Sequence, residues 1–98
     1  MEQIQKTQDD NIIRIGEKPM PNYIRALQRK VNDGLKEIVV SARGKWILRA
    51  FEVAHSLDFE NILRVDRIES KSEHSEREEN GQIKKFRYIA VNIYMKKK

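Results

Sequence analysis

Every glycine and proline of the 98-residue chain falls where the hydrophobic rhythm changes: Gly16, Pro19, Pro21, Gly34, Gly44 and Gly81. Proline removes a backbone donor and glycine admits left-handed backbone, so these positions cut the chain into short elements joined by tight connections. Asn11 to Ile15 (NIIRI) is a β-rich run stopped by Gly16. Pro19 and Pro21 then forbid a continued ladder, and Pro21 starts a helix. That helix is expected from Pro21 to Asp33, with Ile24, Leu27 and Val31 as its buried stripe and Gly34 as its left-handed stop. Arg25, Gln28, Arg29 and Lys30 lie mostly off that stripe.

Leu35 to Ala42 is continuously apolar through Ile38, Val39 and Val40, which reads as a central strand covered on both faces. After Gly44, a second helix from Lys45 to Leu57 repeats Ile47, Ala50, Phe51, Ala54 and Leu57 at helical spacing. In Ile62 to Glu69, Leu63 and Val65 share one parity and Ile68 has the other, so a β-bulge is needed to bring them to one face. Ser70 to Gln82 is polar and reads as a long mobile arm whose Asn80 and Gly81 make the hairpin turn. Ile83 to Lys98 alternates, with Ile89, Val91, Ile93 and Met95 on one face and Phe86, Tyr88 and Tyr94 on the other. The order is β-α-β-α-β-β. It implies an α+β two-layer sandwich, one four-stranded mixed sheet against two helices, with a protruding hairpin. Residues 11–98 then form one domain, and Met1 to Asp10, polar and without periodicity, reads as a disordered leader.

Lys and Arg outnumber Asp and Glu by 20 to 15, a net charge of +5 that draws the chain toward nucleic acid, an anionic membrane or an acidic protein. No apolar run approaches the length of a bilayer span, so no membrane partner is expected. The chain has no cysteine, which excludes disulfides and thiolate metal sites and is compatible with a reducing, cytoplasmic setting. Catalysis lacks its usual constellations. There is no Walker loop and no metal-binding histidine spacing, and His55 and His74 stand far apart, so neither an enzyme nor a metal or cofactor is expected.

Two loops carry the chemistry. In the first, Lys18 follows Gly16 at the start of the first helix, where a cation, free amides and the positive helix end converge on one phosphate site, with Asn22 and Tyr23 adding hydrogen bonds. The same residues also make sense as a tight turn with Tyr23 in the core. In the second, Arg43 and Lys45 flank Gly44, and Arg49 extends that basic face by one helical turn. Trp46 stacks on a base or covers the edge of the core. In the arm, acidic residues cluster toward the turn, which leaves Lys84, Lys85 and Arg87 at its base as the better phosphate contacts.

The stretches IRIGEKPMPNY (Ile13 to Tyr23) and VVSARGK (Val39 to Lys45) closely resemble the Alba family of small nucleic-acid-binding proteins, with its IGKKP-like and KARGR-like patterns. The resemblance covers Asn11 to Lys98 and implies a homodimer, or a heterodimer with a paralogue, that binds double-stranded DNA or structured RNA through both loops and the hairpin arms. A chromosome-associated, nucleoid protein is the expectation that follows. An RNA-binding subunit of a ribonucleoprotein or processing complex is the alternative. The family commonly has two lysines after the glycine, the first acetylated in some members. Here that place is Glu17, which implies weaker binding through this loop and no acetylation switch there. A dimer interface is expected from Phe86, Tyr88 and Tyr94 together with Phe51 of the second helix, and Phe59 is a possible contact between dimers.

Overall fold

The computed structural model describes residues 11–59 and 61–98, and for 57–59 the backbone alone. The expected leader and the side chains of Leu57 and Phe59 lie outside the described residues. The elements run β1 (Ile12–Arg14), α1 (Met20–Asn32), β2 (Glu37–Arg43), a 3₁₀ turn (Gly44–Trp46), α2 (Ile47–Phe59), β3 (Leu63–Glu79) and β4 (Gln82–Lys97). They form one four-stranded sheet in the order β1-β2-β4-β3, with β1 parallel to β2 and both other pairs antiparallel. The expected α+β class and element order are those observed.

Both helices pack on one face of the sheet, α2 across β2, β3 and β4 and α1 beside it and against β1. Strand alternation supplies the sheet's half of the core: Ile13 and Ile15, then Ile38, Val40 and Ala42, then Val91, Ile93 and Met95, then Leu63. From the helices come Tyr23, Leu27, Ala50, Val53 and Ala54. Val53 was missed by the helical repeat read from the sequence, whereas Ile47 and Phe51 are only half-buried. α1 ends as its glycine requires. Gly34 has φ +94, its N–H donates to Val31 and the next N–H, that of Leu35, reaches back to Lys30, which satisfies the last turn's carbonyls.

Three expectations gain detail. β2 is a central strand whose Ile38, Val39 and Val40 are all buried, as expected, but helices cover one face alone; Val39 faces the helix-free side, where Ile12 and Tyr94 flank it in register. The protruding hairpin is present, and Ser70 to Glu79 continue β3 within it, paired with β4 without interruption out to Glu79 and Gln82. Beyond the level of Arg43 and Ala90 this ribbon projects about 27 Å at 3.4 Å per residue. It closes through Asn80 (φ 53) and Gly81 (φ 77), the two positive angles a type I′ turn needs. The bulge is present: the register shifts between Val65 and Arg67, and Asp66 is the extra residue. It places Ile68 opposite Ile93, on the same face as Leu63 and Val65.

Candidate nucleic-acid interface

Because β1 and β2 are adjacent and parallel, the loops that follow them emerge side by side at one end of the sheet. The first loop is locked from both sides. The Tyr23 phenol, buried under the loop, accepts the Gly16 N–H at 2.8 Å and the Lys18 N–H at 3.1 Å. Arg49 Nη1 donates to the Gly16 carbonyl at 3.1 Å and the Lys18 carbonyl at 2.8 Å. The Gly16 and Lys18 amides are therefore already satisfied and not free to receive phosphate. The helix start adds little, since Pro19 and Pro21 have no N–H and the Asn22 N–H is bonded to Pro19 O at 3.0 Å. What this loop offers an anion is the exposed Lys18 ammonium held on a fixed backbone.

Tyr23 and Arg49 accordingly change roles. Tyr23 builds the loop from inside. Arg49 ties α2, which follows the second loop, to the first loop. Its guanidinium also lies 5.4 Å from the Trp46 ring centroid, with the Lys45 ammonium 5.0 Å from the same ring. Trp46 is half-buried against the core and carries two cations on its surface. Asn22 stays exposed and accepts from Arg25 at 3.2 Å.

In the second loop Gly44 has φ +54, a left-handed angle that makes the glycine a backbone requirement, with open space where a Cβ would stand. Arg43 and Lys45 on either side are exposed. The Arg43 guanidinium rests 5.6 Å from the Tyr88 ring centroid and 4.0 Å from Glu73, which links this loop to the root of the arm. Glu73 is held below the usual carboxylate range, first by its hydrogen bond from Lys71 and further by Tyr88 and the Arg43 charge, against the opposing effect of burial. Arg14 lines the same hollow as Arg43 and Trp46 and was not singled out from the sequence. Its signal was parity, as an outward arginine between inward Ile13 and Ile15 at the end of a strand.

The arm is electrically different. On its helix-free face Arg67 meets Glu69, Lys71 meets Glu73, and Arg77 meets Glu79, each two residues along one strand. Lys84, expected to contact phosphate, is 3.1 Å from Glu79 and belongs to this neutralised ladder. Lys85 and Arg87 project from the opposite face and have no ion pair among the described residues. The four expected interface residues are not brought together. Phe51 sits on the helix side of the sheet, whereas Phe86, Tyr88 and Tyr94 lie on the other side. There each ring carries an arginine: Arg77 at 5.1 Å on Phe86, Arg43 on Tyr88 and Arg67 at 3.9 Å on Tyr94. No cluster of three or more His, Cys, Asp or Glu able to hold a metal occurs among the described residues.

The family model for Alba matches residues 11–72, which include both loops and the body of the sheet. The chain belongs to the Alba family. It is 32% identical over 91 residues to the DNA/RNA-binding protein Alba of Methanocella arvoryzae, covering 91% of this chain and 92% of that one. It is 37% identical over 60 residues to the protein of the same name from Methanoculleus marisnigri, covering 61% of this chain and 66% of that one. Among solved structures, Alba from Thermoplasma volcanium superposes with a TM-score of 0.75 at 28% identity, covering 89% of this chain and all of that one. ALBA1 from Trypanosoma brucei shares the fold, with a TM-score of 0.70 at 24% identity over 90% of this chain and 69% of that one.

Proposed function

We propose that this Alba protein binds nucleic acid through phosphates, with little reading of base sequence, at the end of the sheet where its two loops meet. The carrying observation is the convergence of Arg14, Lys18, Arg43 and Lys45 there as exposed cations, with the first loop's backbone held by Tyr23 and Arg49. The names of the relatives support the partner class, DNA or RNA. A loop holding cations on a bonded backbone favours phosphate positioning, and among the described residues both helices pack on the sheet and neither is presented for insertion into a major groove. The cellular role that fits is architectural, coating duplex in association with the chromosome in the cytoplasm. The neutralised arm favours a second reading, an RNA-binding subunit whose arm serves protein contacts.

A dimer would set two such ends on one duplex and raise the effective concentration of each. We place its interface on the helix side of the ribbon, because Ile68 and Ile89 are 49% and 53% exposed there. The rings of Phe86, Tyr88 and Tyr94 are capped by arginines on the other side. A second copy is the fitting cover, since a two-stranded ribbon is marginal by itself. Sedimentation should show a parent dimer at micromolar concentration, Ile89→Glu as a monomer and Tyr88→Glu unchanged. A monomeric parent would refute the interface.

The experiment for binding itself is fluorescence anisotropy with random-sequence duplexes over a salt series. A dimer using a few phosphates per protomer should give a slope of log affinity against log salt of roughly −4 to −8. A flat salt response, or strong preference for one sequence, would sink phosphate reading. Matched duplex DNA, duplex RNA and hairpin RNA at one salt concentration separate the architectural role from the RNA-subunit role.

A further inference from the structure

We propose that the groove between α1 and the free edge of β1 binds an unpaired strand continuing from a duplex seated on the two loops, an inference that rests on the reading above. The groove encloses about 400 Å³. Its floor is apolar, from Ile13, Tyr23 and Ala26, and its rim is Lys18, Asn22, Arg25 and Arg29. Arg25 and Arg29 are exposed, follow Asn22 along one face of α1 and have no acidic partner among the described residues. Asn22 accepts from Arg25 and so holds its guanidinium along the rim. Successive helical turns set these side chains about 6 Å apart along the axis, within reach of neighbouring phosphates.

The fold's direction selects an unpaired strand over more duplex. β1 and β2 are parallel, so α1, which joins them, runs back from the loop end, while the ribbon projects beyond it. A duplex seated across the loops would have to turn the edge of the body to follow α1, which its persistence length of about 150 base pairs opposes. An unpaired strand turns there freely. It also suits the lining, since its sugars and bases can rest on Ile13 and Ala26 while its phosphates meet the rim, whereas a duplex keeps its bases stacked inside. The binding preference that follows is for duplexes with single-stranded tails.

Anisotropy on the full chain should compare a blunt 20-base-pair duplex with the same duplex bearing a 10-nucleotide unpaired tail. At about 0.1 M salt the parent should bind the tailed probe at least fivefold more tightly, with a salt slope steeper by about 1.4 for two added strand phosphates. Arg25→Glu with Arg29→Glu should erase that gain while keeping most of the blunt-duplex affinity. Lys36→Glu with Arg64→Glu has the same charge change at the opposite end of the sheet and should keep the gain. Arg25→Gln with Arg29→Gln, milder at exposed helix positions, replaces the double glutamate variant should that variant lose its helical circular dichroism. Equal affinity of the parent for both probes, or a tail gain that survives the glutamine pair, overturns the groove assignment alone. A parent that binds neither probe overturns the loop reading, and this one with it.

Discussion

The loop end of the body and the projecting ribbon are both rich in arginine, lysine and aromatic rings, yet among the described residues the first presents unpaired cations and the second paired ones. At the loop end Arg14, Lys18 and Lys45 have no carboxylate partner among the described residues, and the backbone of Gly16 and Lys18 is held by Tyr23 and Arg49. On the helix-free face of β3, strand alternation puts each cation beside the acid two residues further on, as in Arg67–Glu69, Lys71–Glu73 and Arg77–Glu79. Positive charge counted along the chain therefore does not locate the binding surface. The spacing of acids relative to cations, read through the period of the local structure, does.

Opposing charge reversals break this comparison most directly. Arg43→Glu with Lys45→Glu at the loop end should lower duplex affinity on the order of 100-fold at moderate salt, since two attractions become repulsions at one site. Arg77→Glu with Lys84→Glu makes the same charge change in the ribbon and should lower it less than about fivefold, because both cations are already drawn to Glu79 and lie away from the loop end. Equal losses in anisotropy titrations would show that only net charge matters and would dissolve the distinction between the regions.

Support of the loop from below predicts a smaller, qualitatively different effect. Arg49→Lys keeps the charge but loses the planar guanidinium that spans two carbonyls, so affinity should fall roughly tenfold with the salt slope unchanged. Were Arg49 a direct phosphate contact, lysine would substitute well and Arg49→Gln would flatten the slope by about 0.9. Tyr23→Phe leaves the Gly16 and Lys18 amides without their acceptor and should cost about 2 kcal/mol in urea unfolding. An unchanged midpoint would mean that water replaces the phenol and that the loop is not held by it.

How much of this was legible in the sequence differs with the range of the interactions. Periodicity and the glycine and proline positions sufficed for the element order, the Gly34 stop and the bulge that brings Ile68 to the face of Leu63, because these are local or follow from one strand's parity. The side-by-side loops were legible through the family motifs. The latch was not: Arg49 bonds to residues 33 and 31 positions away, and nothing in the ARGK stretch distinguishes a helix arginine facing phosphate from one facing a carbonyl. Tyr23 was read both as a hydrogen-bonding partner of ligand and as core, and it is core with its hydroxyl turned to the loop. The continuation of β3 past Glu69 was missed for a compositional reason. Thirteen polar residues look irregular until their alternating charges are paired across i and i+2, a pattern that stabilises an exposed strand without any apolar face.

The finest test lies where the two regions meet, at Arg43. Glu73 holds this arginine from the ribbon side and Tyr88 lies beside it, so the ribbon draws on a cation that the loop end presents to ligand. Glu73→Gln should free Arg43 and Lys71 and tighten duplex binding two- to fivefold, with a slope steeper by up to about 0.9. The pH response has a definite sign. The folded-state pKa of Glu73 is lowered, chiefly by Lys71, so its ion pairing is fully present above the ordinary carboxylate value and is lost only as pH falls through the lowered one. Between pH 5 and 8 Glu73 therefore stays ionised, and the ratio of Glu73→Gln affinity to parent affinity should stay constant over that range. It should shrink toward one only in more acidic buffer, where the parent's own Glu73 takes up a proton. A ratio that changes between pH 5 and 8, or a Glu73→Gln protein that binds no more tightly than the parent, would mean that the ribbon does not restrain Arg43 and that the two regions act independently.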